Sequence, residues 1–327
     1  MKIVFLDAYA ANPGDIDWAP WQQLAGPDGE PIKVEIHDRT APGETLARAC
    51  DAEILLTNKV VINAELMEAM PRLKYIGVLA TGYNVVDTDY AGSHGIIVTN
   101  IPAYSTASVA QMAMAHLLHI ALHVGPHSQS VKEGRWQASR DFCFWDYPLI
   151  ELSGMNFGIV GLGNTGMATA RIAQSMGMKV TAWSSKDEQT LQALGIEKAP
   201  SLDDLFRIAD VLSLNCPLTP QTHHLVCDSR LRLMKPTAIL INTGRGPLIN
   251  EQDLADALNE GRLYAAGLDV LEQEPPRNGS PLITARNCYI TPHIAWATLQ
   301  ARKRLMSIAL QNVEAYLGGK PQNVVSR

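Results

Sequence analysis

The sequence predicts an α/β protein built from two doubly wound, parallel-sheet domains. Three observations carry this expectation. Short apolar runs alternate with helical patterns along most of the chain, which is the rhythm of parallel sheets covered on both faces. The apolar runs are near-continuous rather than alternating, as strands buried on both faces require. The length of 327 residues, at about 150 per domain, makes two domains the natural division.

The elements follow in chain order. A first strand is expected at 2–6, where apolar residues run up to Asp7; this stretch is too short for a signal peptide. Further strands are expected at 53–56, 75–79 and 96–99. A second series begins at 157–160 and continues at 179–183, 211–215, 238–242, 266–270 and 289–291. Helical patterns lie between them, as at 168–176 and 252–259. Ser201 is placed to cap the helix that precedes Leu205, and Gly177 follows Met176 where a left-handed residue ends a helix. Two long amphipathic stretches, 106–125 and 298–317, read as connecting or docking helices. Arg302, Lys303 and Arg304 read as a charged face of the latter. The expected lobes are 1–101 and 102–290, with 291–327 returning to the first.

Composition narrows the function. A net charge of -6 argues against nucleic acid or an anionic membrane as partner. The run 109–124 is interrupted by Gln111, His116, His119 and His123, and is too short and polar to span a bilayer. The five cysteines are odd in number and form no CxxC pair, which suits a reducing cytoplasm. His116, His119 and His123 share one helix face, but no carboxylate accompanies them, so packing is expected there and no metal.

Residues 161–166 read Gly161-Leu162-Gly163-Asn164-Thr165-Gly166. The string follows an expected strand and opens an expected helix within one βαβ unit, the context that gives G-x-G-x-x-G its meaning. Gly161 permits the tight turn, Gly163 lets backbone N–H groups approach a pyrophosphate, and Gly166 allows close helix–strand packing. Asn164 and Thr165 lie at the helix N-terminus, whose partial positive charge favours the anion. A dinucleotide is therefore expected. The acid that usually binds the adenosine ribose is absent after the next strand. Ser184, Ser185 and Lys186 stand there instead, with Asp187 one place later. Two hydroxyls and a cation suit a 2′-phosphate, so NADP(H) is favoured, with NAD(H) possible.

Two downstream positions carry further chemistry. Arg245 sits between glycines just past an apolar run, at the carboxyl end of a strand, where a guanidinium clamps a carboxylate. His293 follows another strand and suits a general acid or base near neutral pH.

The chain resembles the D-isomer-specific 2-hydroxyacid dehydrogenase family, and within it the glycerate dehydrogenase, or hydroxypyruvate reductase, branch. The resemblance spans nearly the whole sequence. Besides the glycine turn it rests on Ala80-Thr81-Gly82-Tyr83-Asn84-Val85-Val86-Asp87, Asn100-Ile101-Pro102-Ala103-Tyr104-Ser105 and Ser108-Val109-Ala110-Gln111. Downstream it rests on Thr243-Gly244-Arg245-Gly246, Glu274-Pro275 and Thr291-Pro292-His293. It implies a flavodoxin-like substrate domain (1–101 with 291–327) and a Rossmann dinucleotide-binding domain (102–290). It implies Arg245, Glu274 and His293 as catalytic residues, and backbone N–H groups of Thr81 and Gly82 on the substrate carboxylate. Cys216, Pro217, Thr243 and Asp269 would line the cofactor. In related dimers the segment 136–145 reaches the neighbouring subunit, which makes a homodimer the expected assembly and Trp145 a candidate for the substrate pocket. The implied reaction reduces hydroxypyruvate or glyoxylate to the D-2-hydroxy acid. Two other readings are another 2-keto acid such as pyruvate, and a nucleotide-sensing, corepressor-like binding module.

Overall fold

The computed structural model describes residues 1–326 and divides them into two units. The first holds residues 1–105 together with the stretch from Ala297 onward; the second is Thr106–Trp296.

In the first unit, β1 (Lys2–Phe5), β2 (Lys33–Ile36), β3 (Ile54–Thr57), β4 (Tyr75–Val78) and β5 (Ile97–Thr99) form one sheet. Its order is β2-β1-β3-β4-β5 and every pairing is parallel. Alternate residues of β1 serve opposite faces. Val4 and Leu6 join Leu55, Ile76 and Val98 in one apolar cluster, while Phe5 meets Trp18 and Trp21 edge-on at 5.0 and 4.8 Å. The last helix (Leu299–Leu317) lays Tyr316 against Tyr75, with ring centroids 4.8 Å apart.

The second unit holds β6 (Asn156–Val160), β7 (Lys179–Trp183), β8 (Glu197–Lys198), β9 (Val211–Leu214), β10 (Ile239–Asn242), β11 (Ala265–Leu268) and β12 (Cys288–Ile290). The order is β12-β11-β10-β9-β6-β7-β8, again parallel throughout. Two separate apolar cores cover the faces. Leu212, Leu240 and Leu268 belong to one, and Ile159, Val211 and Ile241 to the other. Strand order reverses between β6 and β9, so a crevice opens above their carboxyl ends, where open α/β sheets bind ligands.

The expected strands are present. Two strands lie outside the expectation, and both are edges. β2 carries Lys33 and Glu35 and is only partly covered, and β8 has two exposed residues. Neither has an apolar run for periodicity to detect.

The stretch expected as one helix over 106–125 is two helices, Thr106–Leu122 and Val124–Lys132, bent by 55°. His123 between them is left-handed at φ 48. Pro126 supplies the reason: inside a continuous helix its ring would clash with the carbonyl of Leu122. No single helix is long and apolar enough to cross a membrane. The bent pair passes that test by composition, yet Ala110, Ala113, Leu117 and Ile120 of its first half are buried in the second unit.

The chain returns to the first unit after Trp296 rather than at 291, so Thr291, Pro292 and His293 stay with the second unit. Asp269, just beyond β11, holds them there. Its carbonyl accepts from the His293 N–H at 2.8 Å, and its carboxylate accepts from Thr291 Oγ1 and the Ile294 and Ala295 N–H groups at 2.6, 2.9 and 2.8 Å.

Arg302 departs from the expected charged face. It is buried, and its guanidinium grips both carboxylate oxygens of Asp15 at 2.6 Å while Nε donates to the Ala297 carbonyl at 3.0 Å. A planar fork with five donors favours this bidentate partner over solvent.

Candidate active site

The glycine turn leaves β6 at the point where strand order reverses. Gly161 has φ +89, and a Cβ there would lie 2.7 Å from the backbone of Cys216, the residue leading out of neighbouring β9. A Cβ on Gly166 would lie 2.2 Å from the Gly161 carbonyl oxygen. A Cβ on Gly163 meets nothing within 4 Å. The first and third glycines thus allow backbone to pack, and the second faces open space. The helix Asn164–Ser175 begins there with no side-chain cap, so its first N–H groups are left without the capping side chain that usually serves a helix start. Close by in the strand order, Asn215 Oδ1 after β9 and Thr243 Oγ1 after β10 are buried without a hydrogen-bond partner among the described residues. Uncapped N–H groups beside orphaned buried oxygens are the donor and acceptor set that a dinucleotide satisfies. Asn215 was not among the expected residues; its signal was its place, directly before Cys216 and Pro217 at a strand end.

Past β7, the Ser184 hydroxyl accepts from the Lys186 N–H at 3.1 Å, a short serine turn that brings Ser184, Ser185 and Lys186 together. Asp187 is occupied elsewhere. It caps the helix Glu188–Ala193, accepting from Thr190 N and Oγ1 at 2.7 and 2.8 Å, and those bonds hold its carboxyl below the usual carboxylate range.

Past β10 comes the loop of Arg245. Asn242 is wholly buried and shapes it, with Nδ2 donating to the Arg245 carbonyl at 2.9 Å and Oδ1 accepting from the Gly244 N–H at 3.0 Å. Gly246 lies so close to the Leu271 carbonyl that a Cβ would fall 1.9 Å from it. This approach brings the Arg245 loop against the loop of Glu274. The Arg245 guanidinium is exposed and bonds to the Gly244 carbonyl at 2.8 Å; among the described residues no carboxylate pairs with it.

Glu274 and His293, nineteen positions apart in sequence, meet here. His293 Nδ1 lies 2.5 Å from Glu274 Oε2, while Glu274 Oε1 accepts from the Leu271 N–H at 3.0 Å. A carboxylate only accepts, so Nδ1 carries the hydrogen and Nε2 is turned away from Glu274. His293 adopts φ 53, a left-handed conformation uncommon for a residue with a side chain. The four bonds to Asp269, itself 1% exposed, hold that turn in place.

Thr81 and Gly82 follow β4 in the first unit. Thr81 Oγ1 donates to the Ile101 carbonyl at 2.7 Å, and the N–H groups of Thr81 and Gly82 have no protein acceptor among the described residues. Trp145 is 65% exposed and borders a cavity of about 470 Å³ in the second unit, together with Leu122, Val124, Trp136 and Leu149.

The three histidines expected on one helix face have separate surroundings, since the helix ends at Leu122 and His123 lies in the break after it. His116 is buried against β11, His119 meets Tyr289 edge-on at 4.7 Å, and His123 stacks on Tyr147 at 4.5 Å. Burial disfavours the imidazolium of His116 and His123, so both titrate below the ordinary histidine value. The folded chain therefore binds fewer protons than the unfolded one over that range. The corresponding stability is complete above the unfolded value of about 6.5 and is lost as pH falls through the lowered folded values. The lowered carboxylates, Asp15 and Asp228 among them, titrate below this window. Thermal midpoints should fall as pH drops from neutrality, and His123→Asn, which tolerates the left-handed backbone, should flatten the slope. An unaltered slope would remove His123 from the account.

Residues 114–295 match the family described as D-isomer specific 2-hydroxyacid dehydrogenase, NAD binding domain. The chain is 49% identical over 327 residues to the hydroxypyruvate reductase of Blautia hydrogenotrophica, covering 100% of both sequences. It is 38% identical over 293 residues to the glycerate dehydrogenase of Methylorubrum extorquens, covering 89% of this chain and 91% of that one. Among solved structures it resembles the NADPH-dependent glyoxylate/hydroxypyruvate reductase of Sinorhizobium meliloti in complex with NADP and malonate. That likeness has a TM-score of 0.81 at 28% identity and covers 99% of this chain and 96% of the other. The agreement runs along the whole sequence: the chain is an oxidoreductase and belongs to the D-isomer-specific 2-hydroxyacid dehydrogenase family.

Proposed function

We propose that this enzyme reduces hydroxypyruvate, and glyoxylate beside it, to the D-2-hydroxy acid, with NADPH the favoured donor. The observation that carries the chemistry is the 2.5 Å couple of His293 and Glu274 in the unit that bears the glycine turn and the unpaired Arg245. A bound nicotinamide supplies the hydride. Arg245 holds the substrate carboxylate and polarises the adjacent carbonyl. His293, protonated, gives its Nε2 proton to the carbonyl oxygen, and Glu274 stabilises the imidazolium and orients the ring. The turn at 161–166 takes the pyrophosphate, with Cys216, Pro217, Thr243 and Asp269 along the cofactor. Thr81 and Gly82 are proposed carboxylate donors on the strength of their unbonded N–H groups. The substrate choice rests on the activities for which the relatives above are named.

The cofactor preference rests on Ser184, Ser185 and Lys186, and on Asp187 being held as a helix cap. We also propose a cytoplasmic homodimer. The five cysteines are free, and an exposed aromatic segment holds Trp136, Phe142 and Trp145 at 52, 90 and 65% exposure. Such a patch marks an interface, and Trp145 would line the neighbouring copy's substrate pocket.

Steady-state kcat/KM for hydroxypyruvate, glyoxylate and pyruvate, each with NADPH and NADH, tests the reading. Hydroxypyruvate with NADPH is expected to rank first. Pyruvate ranking first would overturn the substrate, and no turnover across the panel would favour a nucleotide-sensing module. Ser184→Asp should then move preference toward NADH, since a carboxylate repels the 2′-phosphate; an unchanged NADPH/NADH ratio would refute the specificity assignment.

A further inference from the structure

We infer that His116 is a positioning residue for the proton donor, acting through Thr291 and Asp269 on the turn that presents His293. The inference rests on His293 being that donor.

His116 lies midway along the helix Thr106–Leu122, among buried Ala113, Leu117 and Ile120, and is itself 5% exposed. An imidazole at such a position loses hydration that a leucine would never have needed, so its polar atoms require a purpose. The sheet is shaped to receive it. At Gly267 of β11, a Cβ would lie 2.6 Å from His116 Cβ, so any larger residue would push the helix away. In the space this leaves, His116 Nε2 reaches Thr291 Oγ1 at 3.0 Å, and Thr291 Oγ1 lies 2.6 Å from Asp269 Oδ1.

The direction of the chain follows from the donors. The Asp269 carboxylate only accepts, so Thr291 gives it the hydroxyl hydrogen. The Thr291 oxygen then accepts, and His116 must carry its proton on Nε2. One end of this chain is fixed in a buried helix. The other is the carboxylate that also holds the Ile294 and Ala295 N–H groups, so Asp269 grips the chain at Thr291 before the left-handed His293 and at two residues directly after it. His116 thereby locks the Thr291 side chain from behind and, through it, Asp269. The titratable groups acting on His116 are Asp269 and, on its own helix, His119; Ile241 of β10 beside it is apolar.

The test compares His116→Leu, His116→Gln, Thr291→Val and the double variant His116→Leu/Thr291→Val in the full-length enzyme. The readouts are kcat and KM for NADPH. His116→Leu is expected to lower kcat about tenfold, as a misplaced acid does, with KM for NADPH unmoved. Gln, which keeps a donor, should restore much of the loss. The double variant should be no worse than the poorer single one. An unmoved kcat in His116→Leu, a loss that Gln does not restore, or losses that multiply in the double variant would overturn the inference. If His116→Leu does not fold, Thr291→Val breaks the same link without touching the helix core, and an unmoved kcat there is equally decisive. His293→Ala in the same assay separates the levels. Turnover retained in it sinks the donor assignment, whereas turnover lost in it with a silent His116→Leu sinks this inference alone.

Discussion

Replacing His293 by alanine is expected to remove about three orders of magnitude from kcat while leaving NADPH affinity intact. General acid catalysis contributes roughly 10²–10⁴ in rate, and the proposed function gives that role to this one imidazole. At about 1.4 kcal/mol per decade, this is ~4 kcal/mol of transition-state stabilisation. Cofactor affinity should survive because the glycine turn belongs to a different strand end, at β6, whereas His293 follows β12. Alanine at φ 53 adds backbone strain, so His293→Asn, which accepts that conformation readily, is the companion variant. Both should be equally inactive if the loss is chemical. Single-turnover reduction with bound NADPH checks it directly, and near-normal turnover in either variant would refute the assignment.

Arg245→Leu should have the second large effect. Two charge-assisted bonds to a carboxylate are worth several kcal/mol together, so kcat/KM for the keto acid should fall roughly a thousandfold. The loss should appear in both KM and kcat, because in the proposed function the same guanidinium holds the carboxylate and polarises the carbonyl. Lysine should recover only part, since a point charge cannot form the paired fork. The fold should tolerate the change. The Arg245 side chain is exposed, and the bond from Asn242 to this residue uses the main-chain carbonyl, which leucine keeps. An unaltered KM for the keto acid would show that another group binds the carboxylate.

Most of the fold was legible because its strands are buried on both faces. A strand such as 239–242, Ile-Leu-Ile-Asn, has one physical reading in a βαβ pattern. The glycine turn was legible for a similar reason: each of its three glycines answers a local demand of the backbone, and local demands are written in adjacent residues. The edge strands β2 and β8 were not legible, since an edge needs no apolar run. Nor was the break at His123 anticipated, although Pro126 stood in plain view. The residues quoted for the family resemblance named Glu274 and His293 separately.

What no stretch of sequence contained was their meeting. The sequence by itself determined two parallel sheets, a glycine turn between strand and helix, and the types of residue able to bind a carboxylate and move a proton. Only the tertiary structure decided that Glu274 lies 2.5 Å from His293, that Gly246 lets the Arg245 loop press on the Leu271 loop, and that Asp269 keeps His293 with the second unit. It also decided that His116, one of three histidines expected on a helix face, is the one that reaches Thr291. The physical reason is the same in each case. A helix or a turn is set by neighbours within a few positions of the chain, whereas a hydrogen bond between distant residues depends on how strands order themselves and how closely their connecting loops can approach.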